Sequence, residues 1–358
     1  MKIRLKGIVT MVSLLCVVGC QMNKTETLRY RFASQEEGRQ LKMANTDYLD
    51  AQTQNDIDWK LGCSGKSLEE YKAISEEQIM DFTEEEKKAL AKTMDFISAR
   101  CAELGFRLPV EEEIVFIKTG MDEEGQMGGY TLKNQIYLSE FDTERFGRAY
   151  GGDPTLDADY REYRVHLARE LVSHEIFHTI TRSDARFRQL MYELIGCTVM
   201  DRQVQFSPEV QNLLVHNPDV ERYDNYGEFT IDGKKRRCIL ITVYSGTFAD
   251  AVAAHPEEAV FYLGMKPVLV PLDAPDTMIP VEEAADFYDV MGRNTDYVLA
   301  AEECMAVNFS FLIAYGFNGR YDHFLEDNKI HFIPYETPQL IRNMHNMLLE
   351  HYAIIDER

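Results

Sequence analysis

The segment Ser173-His174-Glu175-Ile176-Phe177-His178 constrains this chain more than any other. It lies in a stretch, Asp157 to about Arg182, where Leu167, Leu171, His174 and His178 recur at spacings of four, three and four. That spacing marks one face of a helix. Residues four apart stand one turn apart, about 6 Å along the axis. Two imidazoles so placed can converge on one zinc ion. Glu175 emerges beside them without ligating the ion and can accept a proton from water. The competing reading, two core histidines satisfied by ordinary hydrogen bonds, leaves two costly buried polar rings and an uncompensated carboxylate on the same turn. The fold must therefore keep this helix whole, bury its histidine face and bring a further ligand to it.

A catalytic zinc takes three protein ligands and keeps one open position, and it lowers the pKa of a coordinated water to roughly 7. Thr179-Ile180-Thr181-Arg182 supplies no further histidine, so the third ligand comes from elsewhere. Ala301-Glu302-Glu303-Cys304-Met305-Ala306-Val307-Asn308-Phe309 places an acid pair at the head of an apolar helical run. The residues alone leave Glu302 and Glu303 both open, because neighbours on a helix do not share a direction. They also leave open an exposed acid pair favoured by the helix dipole. His255-Pro256-Glu257-Glu258 ranks below them, since Pro256 marks a surface helix start.

The order of elements suggests an α+β fold. Residues Ser67 to Leu104 read as helix, with Thr83 as an N-cap before Glu84, Glu85 and Glu86. Glu113 to Lys118 reads as a strand, and Tyr130-Thr131-Leu132 with Gln135 to Ser139 as a hairpin around Lys133-Asn134. Asp184 to about Met200 reads as a second helix after the histidine helix. Residues 207–294 form an irregular, strand-containing insert, and 295–358 a helical C-terminal part carrying the third ligand. Residues 61–206 form the N-terminal part with the active-site helix. Residues 20–60 lack an apolar period and read as a tether.

Lys2, Arg4 and Lys6 precede a short apolar stretch, Ile8 to Val18, too short for an ordinary membrane span. Leu15-Cys16-Val17-Val18-Gly19-Cys20 resembles the bacterial lipoprotein signal. The resemblance implies a signal peptide over 1–19 and lipidation, such as by palmitate, at Cys20, tying an exported domain to the membrane by acyl chains. Gln21, where an Asp would suggest inner-membrane retention, points to the outer membrane. The alternative is an ordinary secretory signal. The formal net charge of -22 argues against sequence-independent nucleic-acid binding, which needs clustered Lys and Arg. Cys63, Cys101, Cys197, Cys238 and Cys304 are widely spaced without a C-x-x-C pair, which excludes a thiolate zinc site of the usual spacing.

Taken together, the H-E-x-x-H segment and the later Glu303-Cys304-Met305-Ala306-Val307-Asn308-Phe309 resemble the gluzincin branch of zinc metallopeptidases. The resemblance runs from about Ile114 to Phe317. It implies a zincin-like catalytic core, with a twisted mixed sheet beside the active-site helix and a mainly helical C-terminal part. It implies one catalytic Zn2+ held by His174, His178 and Glu303, with Glu175 as the general base. It implies a peptide or protein substrate added as a strand along the sheet edge near Gly128 to Thr131. Many members carry an Asp four residues after the ligand to support a zinc histidine. Val307 stands there instead, with Asn308 or Asp184 as substitutes. Tyr315, Tyr321 and His323 are candidates for stabilising an oxyanion. Two other functions fit the same residues: a binding protein on the same scaffold without proteolysis, and a zinc amidase acting on cell-wall or other non-protein amides.

Overall fold

The computed structural model describes residues 28–256, 259–324 and 329–355. Residues 1–19, expected to form a signal peptide, Cys20, expected to be lipidated, and the acids Glu257 and Glu258 lie outside the described residues. The protein is mixed α/β, with two five-stranded sheets and a separate hairpin. No helix among the described residues is long and apolar enough to cross a membrane.

The first sheet contains β1 (Tyr30–Phe32), β2 (Ile79–Met80), β3 (Ile114–Thr119), β4 (Gly129–Leu132) and β5 (Gln135–Ser139). β3 pairs in parallel with β1 and β5, and antiparallel with β2. β4 folds back antiparallel on β5 and forms the sheet edge. Lys133, at φ 57°, makes the tight turn between them. β3, β4 and β5 are buried along their whole length. Packing on both faces leaves them no solvent-facing side, so even the polar Lys118, Thr131, Gln135 and Ser139 are buried.

The second sheet is antiparallel throughout: β6 (Thr198–Val199), β7 (Asn225–Ile231), β8 (Lys234–Tyr244), β9 (Met265–Pro271) and β10 (Ile279–Pro280), adjacent in chain order. The insert is thus more ordered than its prolines suggested. The hairpin of β11 (Gly319–Phe324) and β12 (Lys329–Pro334) fills the stretch between the two helices of the C-terminal part, which was expected to be mainly helical.

Two helices run through the middle. The candidate active-site helix spans Ala158–Ser183, capped by Asp157, whose carboxylate accepts from the Asp159 and Tyr160 amides. The candidate ligand helix spans Ala301–Ala314 and is buried at every position. Apolar residues from both helices, from Phe116 and Ile136 of the first sheet and from Phe229 and Leu240 of the second share one core. The 67–104 stretch is two helices, Leu68–Glu77 and Glu84–Glu103, with β2 between them. The second helix after the active-site helix is shorter than expected, Ala185–Glu193.

Residues 28–60 depart most from expectation. β1 joins the first sheet, and helices Gln35–Met43, Thr46–Leu49 and Gln54–Leu61 follow. Far from a tether, this stretch buries Leu49, Ile57 and Trp59, and also Lys42, Asp56 and Lys60. Hydropathy misses it because charge pairing, rather than apolar period, buries the lysines. Lys60 Nζ lies 3.0 Å from Glu124 and donates to Tyr48 Oη, Gln52 and the His216 carbonyl. Lys42 Nζ donates to Tyr130 Oη at 2.7 Å and sits over three tyrosine rings.

Candidate metal centre

The active-site helix turns His174, Glu175 and His178 toward β4 and the head of the ligand helix. One nitrogen of each histidine and one Glu303 oxygen all lie within 4.8 Å of one another. His174 Nε2 is 3.1 Å and His178 Nε2 3.7 Å from Glu303 Oε2. His178 Nε2 is buried without a hydrogen-bond partner. Orphaned buried nitrogens of this kind are rare and ask for an explanation. With two ring nitrogens and a carboxylate oxygen around one point, the donor set suits a zinc ion.

The two acids of the ligand helix flank the His178 ring from different sides. Glu303 faces Nε2, while Glu302 Oε1 lies 2.9 Å from Nδ1. Glu302 also accepts hydrogen bonds from Thr181 and Tyr192. Both acids are almost wholly buried, at 5% and 1% exposure, so neither is a solvated helix-start acid. Burial works against the charge of Glu302, but the bond and charge of His178 together with the bonds from Thr181 and Tyr192 hold the carboxyl below its usual range. A proton fixed on Nδ1 leaves the Nε2 lone pair for a cation.

This replaces both supports expected for the histidine. Asn308 instead binds Asn294 and the Cys304 carbonyl, and Asp184 caps the helix after the active-site helix and accepts from Tyr352. The Val307 position needs no acid because the preceding turn provides one.

Glu175 Oε2 accepts from Thr131 Oγ1 at 2.7 Å, which ties it to the edge strand. Burial first, and the charge of Asp219 second, push its carboxyl up to about 7. Burial opposes a charged His174, but its bond to Glu303 and the charges of Glu303, Glu175 and Asp219 together raise it to about 9. Burial also opposes a charged Glu303, yet the two histidines hold it low. Burial and then Glu303 push Asp219 up. A pocket with several buried acids and neutralising imidazoles is one in which a divalent cation lowers the electrostatic cost.

Sequence reasoning missed Asp219 and Asn217. Asp219 Oδ1 accepts the Thr131 amide at 2.7 Å and lies 3.9 Å from His178 Nε2. Asp219, Glu175 and His178 form a second group of converging metal-type donors sharing the same histidine. Asn217 Nδ2 donates to Glu303 Oε1 at 2.5 Å. His216-Asn217-Pro218-Asp219 has no periodicity and reads as a plain turn, so nothing local signals its place in the fold.

The cleft beside these groups, roughly 330 Å³, is lined by Gly128, Gly129, Leu171, His174, Glu175, Asp219 and Tyr297 among others. Tyr297 stacks edge-on to His174 at 6.4 Å, and its hydroxyl makes no hydrogen bond among the described residues. The three expected oxyanion donors lie elsewhere. Tyr315 Oη donates to Glu170, one turn before His174. Tyr321 lies on β11 at 41% exposure, and His323 packs against Tyr160 and Tyr163. Cys63 is exposed and the other four described cysteines are buried; all five are free thiols.

No family profile, curated protein or solved structure matches this chain.

Proposed function

We propose that this protein is a zinc-dependent peptidase of gluzincin type with a zincin-like core, in which His174, His178 and Glu303 hold the ion. One observation carries the reading: three ligand-type atoms, from His174, His178 and Glu303, lie within 4.8 Å of one another, and His178 Nε2 is buried without a hydrogen-bond partner. Once bound, the ion supplies Lewis-acid polarisation and makes water a nucleophile near neutral pH. The protein's residues do the rest. Glu302 orients His178 through Nδ1, and Asn217 fixes Glu303 through Oε1. Glu175 Oε2, held by Thr131, takes the proton from water and returns it to the leaving amine. Tyr297, with an uncommitted hydroxyl in the cleft, replaces Tyr315, Tyr321 and His323 as the donor to the developing oxyanion. Export and lipid anchoring at Cys20 belong to the same proposal and rest on the sequence of the first twenty residues; a Cys20→Ala variant that still fractionates with membranes and carries acyl chains overturns them.

The test pairs metal content with turnover. Native protein purified without chelator should carry one zinc per chain, and His178→Ala close to none. Glu175→Gln should keep the zinc and lose peptide cleavage. Zinc at the same stoichiometry in His178→Ala, or an unchanged rate in Glu175→Gln, overturns the assignment. Zinc without cleavage of any peptide, but with release from cell-wall fragments, would transfer the reaction to a non-protein amide.

A further inference from the structure

The edge strand beside the metal centre is open at one end only. Thr131 turns both backbone groups away from β5. Its amide donates to Asp219 Oδ1 at 2.7 Å, and its carbonyl accepts from Arg182 at 2.9 Å. Arg182 also donates to the Pro218 carbonyl at 2.8 Å, so Pro218 and Asp219 lie across the strand where an added chain would continue. Gly128 faces the other way, its carbonyl accepting from Ser139 at 3.0 Å. Backbone direction alternates along a strand, so Gly129 presents its amide and carbonyl to the cleft as Thr131 does. An extended chain can pair at Gly129 and must stop at Thr131.

The wall that stops it is fixed from several sides. Asn217 donates to Glu303, the His216 amide to Asp56, Lys60 to the His216 carbonyl, and the Val215 amide to the Thr242 carbonyl of β8. A segment held by the ligand helix, the second sheet and the N-terminal helices is a built boundary rather than a lid.

Whatever meets that boundary is a chain end, and charge selects which end. Asp219, Glu175 and Glu303 gather there against one cation, Arg182, whose Nη2 donates to two backbone carbonyls and whose Nη1 is buried without a hydrogen-bond partner, so acids outnumber bases three to one. A terminal carboxylate would face three acids; a terminal ammonium finds a partner. Asp219 uses Oδ1 for Thr131, and its Oδ2 makes no hydrogen bond among the described residues. The distance fixes the count. Asp219 Oδ1 is 3.9 Å from His178 Nε2, about one residue of extended chain.

We propose that the substrates are peptides with a free N-terminus, whose α-ammonium is received by Asp219, so that single residues are released from that end. This rests on the metal reading above. The reaction is hydrolysis alone: water adds oxygen to the first carbonyl carbon, the C–N bond breaks, and the shortened peptide leaves as an amine. Residues after the cut lie along Gly129 toward Met127 and Leu171.

The deciding measurement is calorimetric binding of L-leucine hydroxamate and N-acetyl-L-leucine hydroxamate to the zinc-loaded full chain, alongside cleavage of one pentapeptide with a free or acetylated N-terminus. The free hydroxamate should bind at least tenfold tighter. The free peptide should shorten by one residue at a time, with the acetylated one at least a hundredfold slower. Asp219→Asn keeps an oxygen for the Thr131 amide and should erase the hydroxamate difference while retaining zinc. Equal hydroxamate affinities in the native protein, or internal cleavage of the acetylated peptide, overturn the proposal. If those appear with one zinc bound, the metal reading survives; if zinc itself does not bind, both fall.

Discussion

Glu302 and Glu303 take different places around one histidine, and in the proposed metal centre they would take different parts. A 100° step would separate them on an open surface. Here His178 sits between them, so one carboxylate addresses each ring nitrogen. Removing the orienting charge should therefore weaken metal binding without removing a ligand. Glu302→Gln is expected to lower zinc affinity by about 10- to 100-fold, read by chelator competition, while keeping one zinc at saturation. Unchanged affinity would reduce Glu302 to a packing role. Gly129 carries a second residue-scale constraint. A Cβ there would lie 3.1 Å from Glu175 Oε1 and 3.2 Å from the Tyr137 carbonyl. The carbonyl belongs to β5 and cannot yield, so Glu175 must. Gly129→Ala should cut kcat by about tenfold or more through misplacement of the base, with zinc content unchanged. Activity within twofold of the native protein would mean that Glu175 has room to spare.

The helix Gln54–Leu61 links the N-terminal segment to the wall at residues 215–219. Asp56 closes a capping box with Thr53 and also accepts from the His216 amide, the His216 ring and Tyr244. Burial opposes its charge, but the bond to His216 and the nearby Lys60 outweigh burial and hold its carboxyl down at about 2. A carboxyl depressed on folding adds stability above its unfolded value near 4, and loses that stability as pH falls toward 2. The contribution is on the order of 2 kcal/mol. Asp56→Asn should thus melt well below the native protein at pH 6, with the gap closing between pH 4 and pH 2; a gap independent of pH would assign the loss to shape rather than charge. At this scale the sequence was legible where periodicity and caps agree. The active-site helix, the head of the ligand helix and the turn at Lys133-Asn134 lie where spacing and turn chemistry put them. It was illegible where distant polar contacts decide. Asn217, Pro218 and Asp219 owe their place to Glu303, Arg182 and Thr131, each 36 or more residues away. Likewise the residues alone left Glu302 and Glu303 open; only the resemblance singled out Glu303, and the place of Glu302 beside His178 Nδ1 came with the fold.

Across the whole molecule, the proposed metal centre rests on a fold that includes a segment whose composition suggests a dispensable leader. Residues 28–60 add β1 to the first sheet and set Trp59, 1% exposed, parallel to Tyr244 at 5.7 Å. They also bring Lys42 and Lys60 to the buried acids Glu123 and Glu124. Removing one partner of a buried ion pair typically costs about 3–5 kcal/mol, and emptying a large aromatic site about as much. Together these approach the total stability of an ordinary domain, about 5–15 kcal/mol. A chain starting at residue 61 should therefore be insoluble, or melt without cooperativity, whereas one starting at residue 28 keeps every contact described above. Near-ultraviolet circular dichroism and thermal melting of the two truncations decide the matter. If the shorter chain melts cooperatively within about 5 °C of the longer one, residues 28–60 are a tether after all. The wall at 215–219 must then be held by the second sheet and the ligand helix alone. If the shorter chain folds but loses zinc affinity, the N-terminal helices act chiefly by bracing His216, and through Asn217 the Glu303 ligand.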